Sequence, residues 1–357
     1  MKRNIKRIIF VVAAVAVWVG AFFMTQRLLE PKYMDDLIEG ALTAEYYDET
    51  TKHDVIFIGD CEVYENFSPV TLWENYGITS YIRGNAQQLI WQSYYLLEDT
   101  LRYEKPEFVV FNVLSMKYGE PQSEEYNRLT LDGMELSPVK IKAVEASMTE
   151  DEELITYIFP ILRYHSRWNQ LKSEDFEYFF KKDKISHNGF IMRADVRPAT
   201  TFPEPEPLAD YTLPATCWEY LDKMAALCKE NDIELILIKA PSLYPVWYDQ
   251  WDEQIVEYAQ KNGLAYINLL DKCDEIGIDF YSPETADTYD RGLHLNLSGA
   301  EKLSNYFGGW LCSNYQITDH RNDPDISAVY SEKSADYYAM KEDQLRELSE
   351  FGELKSY

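Results

Sequence analysis

The chain has 357 residues, 46% of them hydrophobic and 15% aromatic, enough apolar side chain to bury a sizeable core and too much for a disordered protein. Its 34 Lys and Arg against 61 Asp and Glu leave a formal charge of −27, which repels phosphate backbones and argues against nucleic acid as a partner. Five cysteines, Cys61, Cys217, Cys228, Cys273 and Cys312, lack the paired spacing of zinc ligands, so neither a structural metal nor another cofactor is expected.

The N-terminus, MKRNIKR, runs into the uncharged stretch Ile8 to Met24. No small-x-small cleavage site follows it, since bulky Phe22, Phe23 and Met24 stand there. Residues 1–25 therefore read as an uncleaved transmembrane anchor whose basic start stays in the cytoplasm, with the rest of the chain outside. Residues 26–52 are polar and acidic and read as a stalk containing a short helix.

An α/β pattern follows. Val55 to Gly59 is a short apolar run that predicts a buried strand. Ser68-Pro69 supplies an N-cap and first-turn proline for a helix through Trp73 to Tyr76. Thr79 to Ile82 predicts a second strand, Gln87 to Tyr103 carries helical apolar spacing, and Phe108 to Leu114, after Pro106, predicts a third strand. The pattern then breaks, and residues of about 115–215 read as a mainly helical insertion, ending in an extended connector with Pro203, Pro205 and Pro207. It resumes with a helix over Thr216 to Asn231, a strand over Ile233 to Ala240, a helix over Tyr248 to Asn262 closed by Gly263, and a strand over Ala265 to Leu269. Ser298-Gly-Ala-Glu301 reads as a capping box for a last helix. Residues 316–357 read as a peripheral acidic tail. Five strands with intervening helices imply a three-layer α/β/α domain over residues 53–315, with a flavodoxin-like parallel sheet.

Gly-Asp-Cys at the exit of the first strand puts a nucleophile-type side chain where open α/β sheets do chemistry. Acyl transfer needs a nucleophile, a base, a group orienting that base and donors for the developing oxyanion. Cys61 is the candidate nucleophile and the expected free thiol of an odd set, the other four cysteines being read as small core residues. His294, in the loop before the last helix, is the candidate base. Asp290, or alternatively Asp287, would fix its tautomer, and Gly292 permits a tight bend between them. Gly84, Asn85 and Asn112 are candidate oxyanion or substrate-binding donors. The aromatic insertion residues Trp168, Phe176, Phe179 and Phe180 read as core.

In IGDCEVYENFSP, YIRGNAQQ and HLNLSGAEK the chain resembles the SGNH/GDSL hydrolase superfamily, in particular membrane-anchored members similar to the D-alanine transfer protein of teichoic acid and the alginate O-acetyltransferases. The resemblance covers about residues 54–114 and 233–312. It puts Cys61 at the family's serine, Gly84 at the second-block glycine and His294 at the histidine. No GxND block follows the third strand, so Asn112 holds that asparagine's place by position alone, and Asp290 precedes His294 by four positions rather than three. The resemblance implies an extracytoplasmic acyl esterase or O-acyltransferase acting on a cell-envelope glycopolymer, a membrane-bound O-acyltransferase being the partner that transfer would require. The alternative is a catalytically degenerate subunit that keeps the sheet and serves as a binding or scaffold component of a membrane acyl-transfer system.

Overall fold

The computed structural model describes residues 2–31, 33–34, 37–38, 40–181 and 184–355, without the side chains of residues 2, 33, 34, 37 and 38. Parts of the expected anchor start, stalk, insertion and tail (residues 1, 32, 35, 36, 39, 182, 183, 356 and 357) lie outside the described residues. Helix α1 spans Lys2–Leu29 and is long and apolar enough to cross a membrane, with no part of its apolar window buried against the protein.

Five strands form one parallel sheet: β1 (Val55–Gly59), β2 (Ser80–Gly84), β3 (Phe108–Asn112), β4 (Glu234–Lys239) and β5 (Ala265–Asn268), in spatial order β2-β1-β3-β4-β5. This is the flavodoxin-type order, whose switch point lies between β1 and β3. Alternate side chains along each strand supply opposite faces. Val55, Phe57, Val110, Ile236 and Ile238 pack with α2 (Pro69–Tyr76) and α6 (Leu297–Asn314). Ile56, Ile58, Val109, Phe111, Leu235 and Leu237 pack with α3 (Ile90–Thr100), α4 (Ala215–Glu230) and α5 (Asp249–Asn262). The domain is thus three-layered, and each fully buried Phe, Leu or Ile contributes roughly 1.5–3 kcal/mol.

Local signals account for several helix ends. Ser68 caps α2 by accepting the Thr71 N–H at 3.2 Å, and Gly263 closes α5. Helix α6 begins earlier than the Ser298 box suggests. Asn296 is its cap, its Oδ1 accepting the Gly299 N–H at 3.2 Å, so Ser298 falls inside the helix.

Two peripheral readings need correction. The stretch read as a stalk packs against the body, burying Ala41, Leu42 and Tyr46, instead of standing off it. The stretch read as a peripheral acidic tail contains α7 (Pro324–Phe351), which lies along α2 and buries Tyr330, Tyr337 and Gln344. These three residues recur every seven positions, the spacing of one helix face, and a face this narrow is easily lost among charged neighbours. The insertion carries short helices between Glu124 and Glu177 and none over residues 184–214, and its helical part has a small core of its own, made of Leu131, Met134, Val139, Ala143, Val144 and Tyr157 against Leu96 of α3.

Candidate functional site

Strand β1 ends at Gly59, and the chain turns through Asp60 into the short helix Cys61–Tyr64. Asp60 caps it, its Oδ1 accepting the Glu62 N–H at 3.2 Å. The turn sits tight against β2: a Cβ on Gly84 would come within 2.6 Å of Val63 Cγ2 and 3.1 Å of the Gly59 carbonyl oxygen. Glycine at 84 is therefore explained by close packing of β2 under the turn that carries Cys61.

His294 arrives from the far end of the sequence on a loop held at several points. The Gly292 N–H donates to Thr288 Oγ1 at 2.8 Å, the Leu243 N–H donates to the Gly292 carbonyl at 2.6 Å, and Gly292 itself has φ of 98°. Asp290 grips the histidine twice: Oδ1 accepts the His294 N–H at 2.8 Å, and Oδ2 lies 2.7 Å from Nδ1. Asp287 has another task, pairing with Lys302 Nζ at 2.7 and 2.9 Å and accepting the Asp279 N–H at 2.9 Å. Of the two aspartates, Asp290 is the one that contacts the ring.

The loop closes onto Cys61. The ring is mostly buried, and with Nδ1 engaged by Asp290 the opposite nitrogen, Nε2, is left buried without a fully formed hydrogen bond. The Cys61 thiol and the ring are electrostatically coupled, each shifting the other's protonation. Burial disfavours charge on the imidazole, but the Cys61 sulfur and the Asp290 hydrogen bond outweigh it and raise the His294 pKa well above 6.5. Burial also raises the Cys61 thiol; His294 pulls it down, and the Asp60 and Glu62 carboxylates push it further up. A thiol lowered toward neutrality, which a nucleophilic cysteine calls for, is not what this surrounding produces. All five cysteines are free, and Cys312 is exposed rather than part of the core.

Beneath Cys61 lies a charged network that sequence reading missed. Lys239, at the end of β4, has Nζ 2.9 and 3.0 Å from the two Glu62 oxygens, and it also donates to Ser242 Oγ at 3.0 Å. Asn112 Nδ2 donates to Asp60 Oδ1 at 3.0 Å and Glu62 Oε2 at 2.9 Å, while its Oδ1 accepts the Ala240 N–H at 3.0 Å. Both Asn112 N–H bonds are thus engaged below the turn, which removes it as an oxyanion donor in this arrangement. Asn85 is likewise turned inward, donating to Thr43 Oγ1 at 3.2 Å and Gln88 Oε1 at 3.3 Å. Burial, then repulsion from Glu62, pushes Asp60 up to about 7. The one visible signal for this network was a lysine closing the otherwise apolar run LILIK.

Two further residues bind the site together. Asn66 Oδ1 accepts the Leu295 N–H at 2.9 Å and its Nδ2 donates to the Pro241 carbonyl at 3.0 Å, tying the Cys61 segment to the His294 loop and the exit of β4. Glu65, one turn beyond Cys61, is buried beside Tyr289, and burial pushes its carboxyl up to about 7 against the pull of His294. Tyr289 stacks on His294 with ring centroids 6.0 Å apart. Alongside runs a cleft of about 660 Å³ lined by Phe202, Leu243, Trp247, Phe280 and Tyr281. Neither Cys61 nor His294 lines it; Ser242 and Leu243 form the wall between cleft and site.

No protein-family model matches the chain, and no curated protein matches it. Among solved structures it is similar to a Bacteroides fragilis protein provisionally described as an acylhydrolase, with 14% identity over 76% of this chain and 94% of that one and a TM-score of 0.37. That likeness is too coarse to transfer any residue's role.

Proposed function

We propose that this chain is a membrane-anchored, extracytoplasmic acyl esterase or O-acyltransferase acting on a cell-envelope glycopolymer, with Cys61 as nucleophile, His294 as general base and Asp290 orienting the base. The observation that carries the reading is the Asp290–His294 pair, 2.7 Å apart, delivered onto Cys61 from more than two hundred residues away. In the first step neutral His294 takes the thiol proton, the sulfur attacks the acyl carbonyl, and the departing alcohol leaves with the proton from His294. The thioester is then attacked by water, or by a sugar hydroxyl, deprotonated at His294, which frees the Cys61 sulfur. With the Asn85 and Asn112 amides engaged elsewhere, this reading assigns the oxyanion to Cys61's own backbone N–H at the turn. Transfer would require a membrane-bound O-acyltransferase to load Cys61.

A second reading, a binding or scaffold subunit without turnover, is favoured by the raised Cys61 thiol and the engaged asparagine amides. Intact-mass analysis after exposure to an aryl acetate separates the two. The enzyme reading expects one acetyl group on wild type, none on Cys61→Ala and slower loading on His294→Ala. Equal acetylation of wild type and Cys61→Ala leaves the scaffold reading standing.

A further inference from the structure

Residues 155–180 expose more large apolar side chain than any other described segment outside α1: Ile155, Leu162, Trp168, Phe176 and Phe180 are all exposed, Phe180 at 93%. Ile155, Leu162 and Phe176 belong to the short helices Leu154–Ile158, Ile161–Tyr164 and Ser173–Glu177, Trp168 to the 3-10 turn His165–Asn169, and Phe180 follows the last helix; all of these elements but Leu154–Ile158 lie against α1. Three contacts set their level along α1. The Phe22 and Phe159 rings meet edge-on with centroids 6.2 Å apart, the Arg27 guanidinium lies 4.6 Å over the Tyr178 ring, and Arg167 Nη1 donates to the Leu29 carbonyl at 2.7 Å.

That level coincides with a bilayer boundary if α1 spans. The uncharged run Ile8 to Met24 is about 25 Å long at ~1.5 Å per residue, close to the ~30 Å of a hydrocarbon core. Phe22 then sits ~3 Å inside its outer end and Leu29 ~8 Å beyond it. Aromatic side chains at this depth are where a bilayer accepts an apolar ring with a polar edge, and a long cationic side chain such as that of Lys172 can reach lipid headgroups from there. A segment read from sequence as core is instead turned outward beside the anchor.

We propose that residues 155–180 form a membrane-interface wedge, with Trp168, Phe176 and Phe180 seated in the headgroup region beside α1. The proposal rests on reading α1 as a membrane span, and its occupant is lipid. It gives the insertion a task, since a body held at the bilayer by both helix and wedge keeps a fixed height and tilt instead of swinging on a tether.

The test uses the full chain in lipid nanodiscs with a photo-crosslinking residue at one position at a time: Val12→p-benzoylphenylalanine, Trp168→p-benzoylphenylalanine, Phe180→p-benzoylphenylalanine, and Leu345→p-benzoylphenylalanine on α7. Lipid adducts are counted by mass spectrometry. The wedge expects adducts at Val12, Trp168 and Phe180, about tenfold or more above Leu345. Adducts at Val12 with Trp168 and Phe180 at the Leu345 level overturn the wedge and leave the span. No adducts at Val12 overturn the span and the wedge with it. Crosslinks from Phe180 to another protein in native membranes, in place of lipid, also overturn it.

Discussion

Lys239→Met removes the cation from one of the two most buried ion pairs among the described residues. Lys239 and Glu62 side chains are 0% and 1% exposed, with Nζ–Oε distances of 2.9 and 3.0 Å. The substitution keeps most of the volume but leaves the Glu62 carboxylate beside Asp60 without its paired cation and takes hydrogen bonds from Ser242 and the Ala240 carbonyl. Breaking a buried pair from one side costs ~3–5 kcal/mol, because the abandoned charge stays desolvated. At roughly 2–4 °C per kcal/mol, the melting temperature should fall by roughly 6–20 °C. Thermal and urea unfolding of the detergent-solubilised full chain measure this, with Lys239→Met/Glu62→Gln as the internal comparison. The double variant removes both charges and should recover more than half the loss, since the penalty lies in the orphaned charge and not in the missing pair. A single-variant loss under about 1 kcal/mol, or a double variant no better than the single, would refute the reasoning.

Other expectations are more local. Burial raises the Cys61 thiol and His294 pulls it down, so Cys61 alkylation should rise on the alkaline side and His294→Ala should move that rise to higher pH. The linked stability runs the other way: the His294 contribution is fully present below about pH 6.5 and is lost as pH rises through the raised folded value, so wild type should lose more stability than His294→Ala on alkaline titration. Gly84→Ala, meeting Val63 at 2.6 Å, should destabilise by ~1–3 kcal/mol in urea unfolding and disturb Cys61 before any distant probe. Asn66→Ala unpairs the Leu295 N–H and the Pro241 carbonyl, costs ~1–3 kcal/mol for the stranded buried groups, and should speed hydrogen exchange at Leu295; unchanged exchange there would show that the loop does not depend on Asn66.

Much of the architecture is written locally. Val55 to Gly59, Phe108 to Asn112 and Glu234 to Lys239 are short apolar runs between turn signals, and such runs have few ways to bury themselves other than as central parallel strands. Ser68-Pro69 and Gly263 punctuate helices through contacts within a few residues, so they too are legible. Cys61 and His294 stood out because each adjoins a recognisable strand exit or helix start. What only the tertiary structure decided depends on pairing across long sequence separations. Sequence offers Asp290 with Asp287 as an alternative, and only the fold shows that Asp290 contacts the ring while Lys302, on α6, takes Asp287. Asn112 has the right position for a donor, yet Asp60, Glu62 and the Ala240 N–H claim its amide. Glu62 and Lys239, 177 positions apart, reveal nothing of each other in sequence, because the exclusion of water that makes their contact matter exists only once β1, β3 and β4 lie side by side.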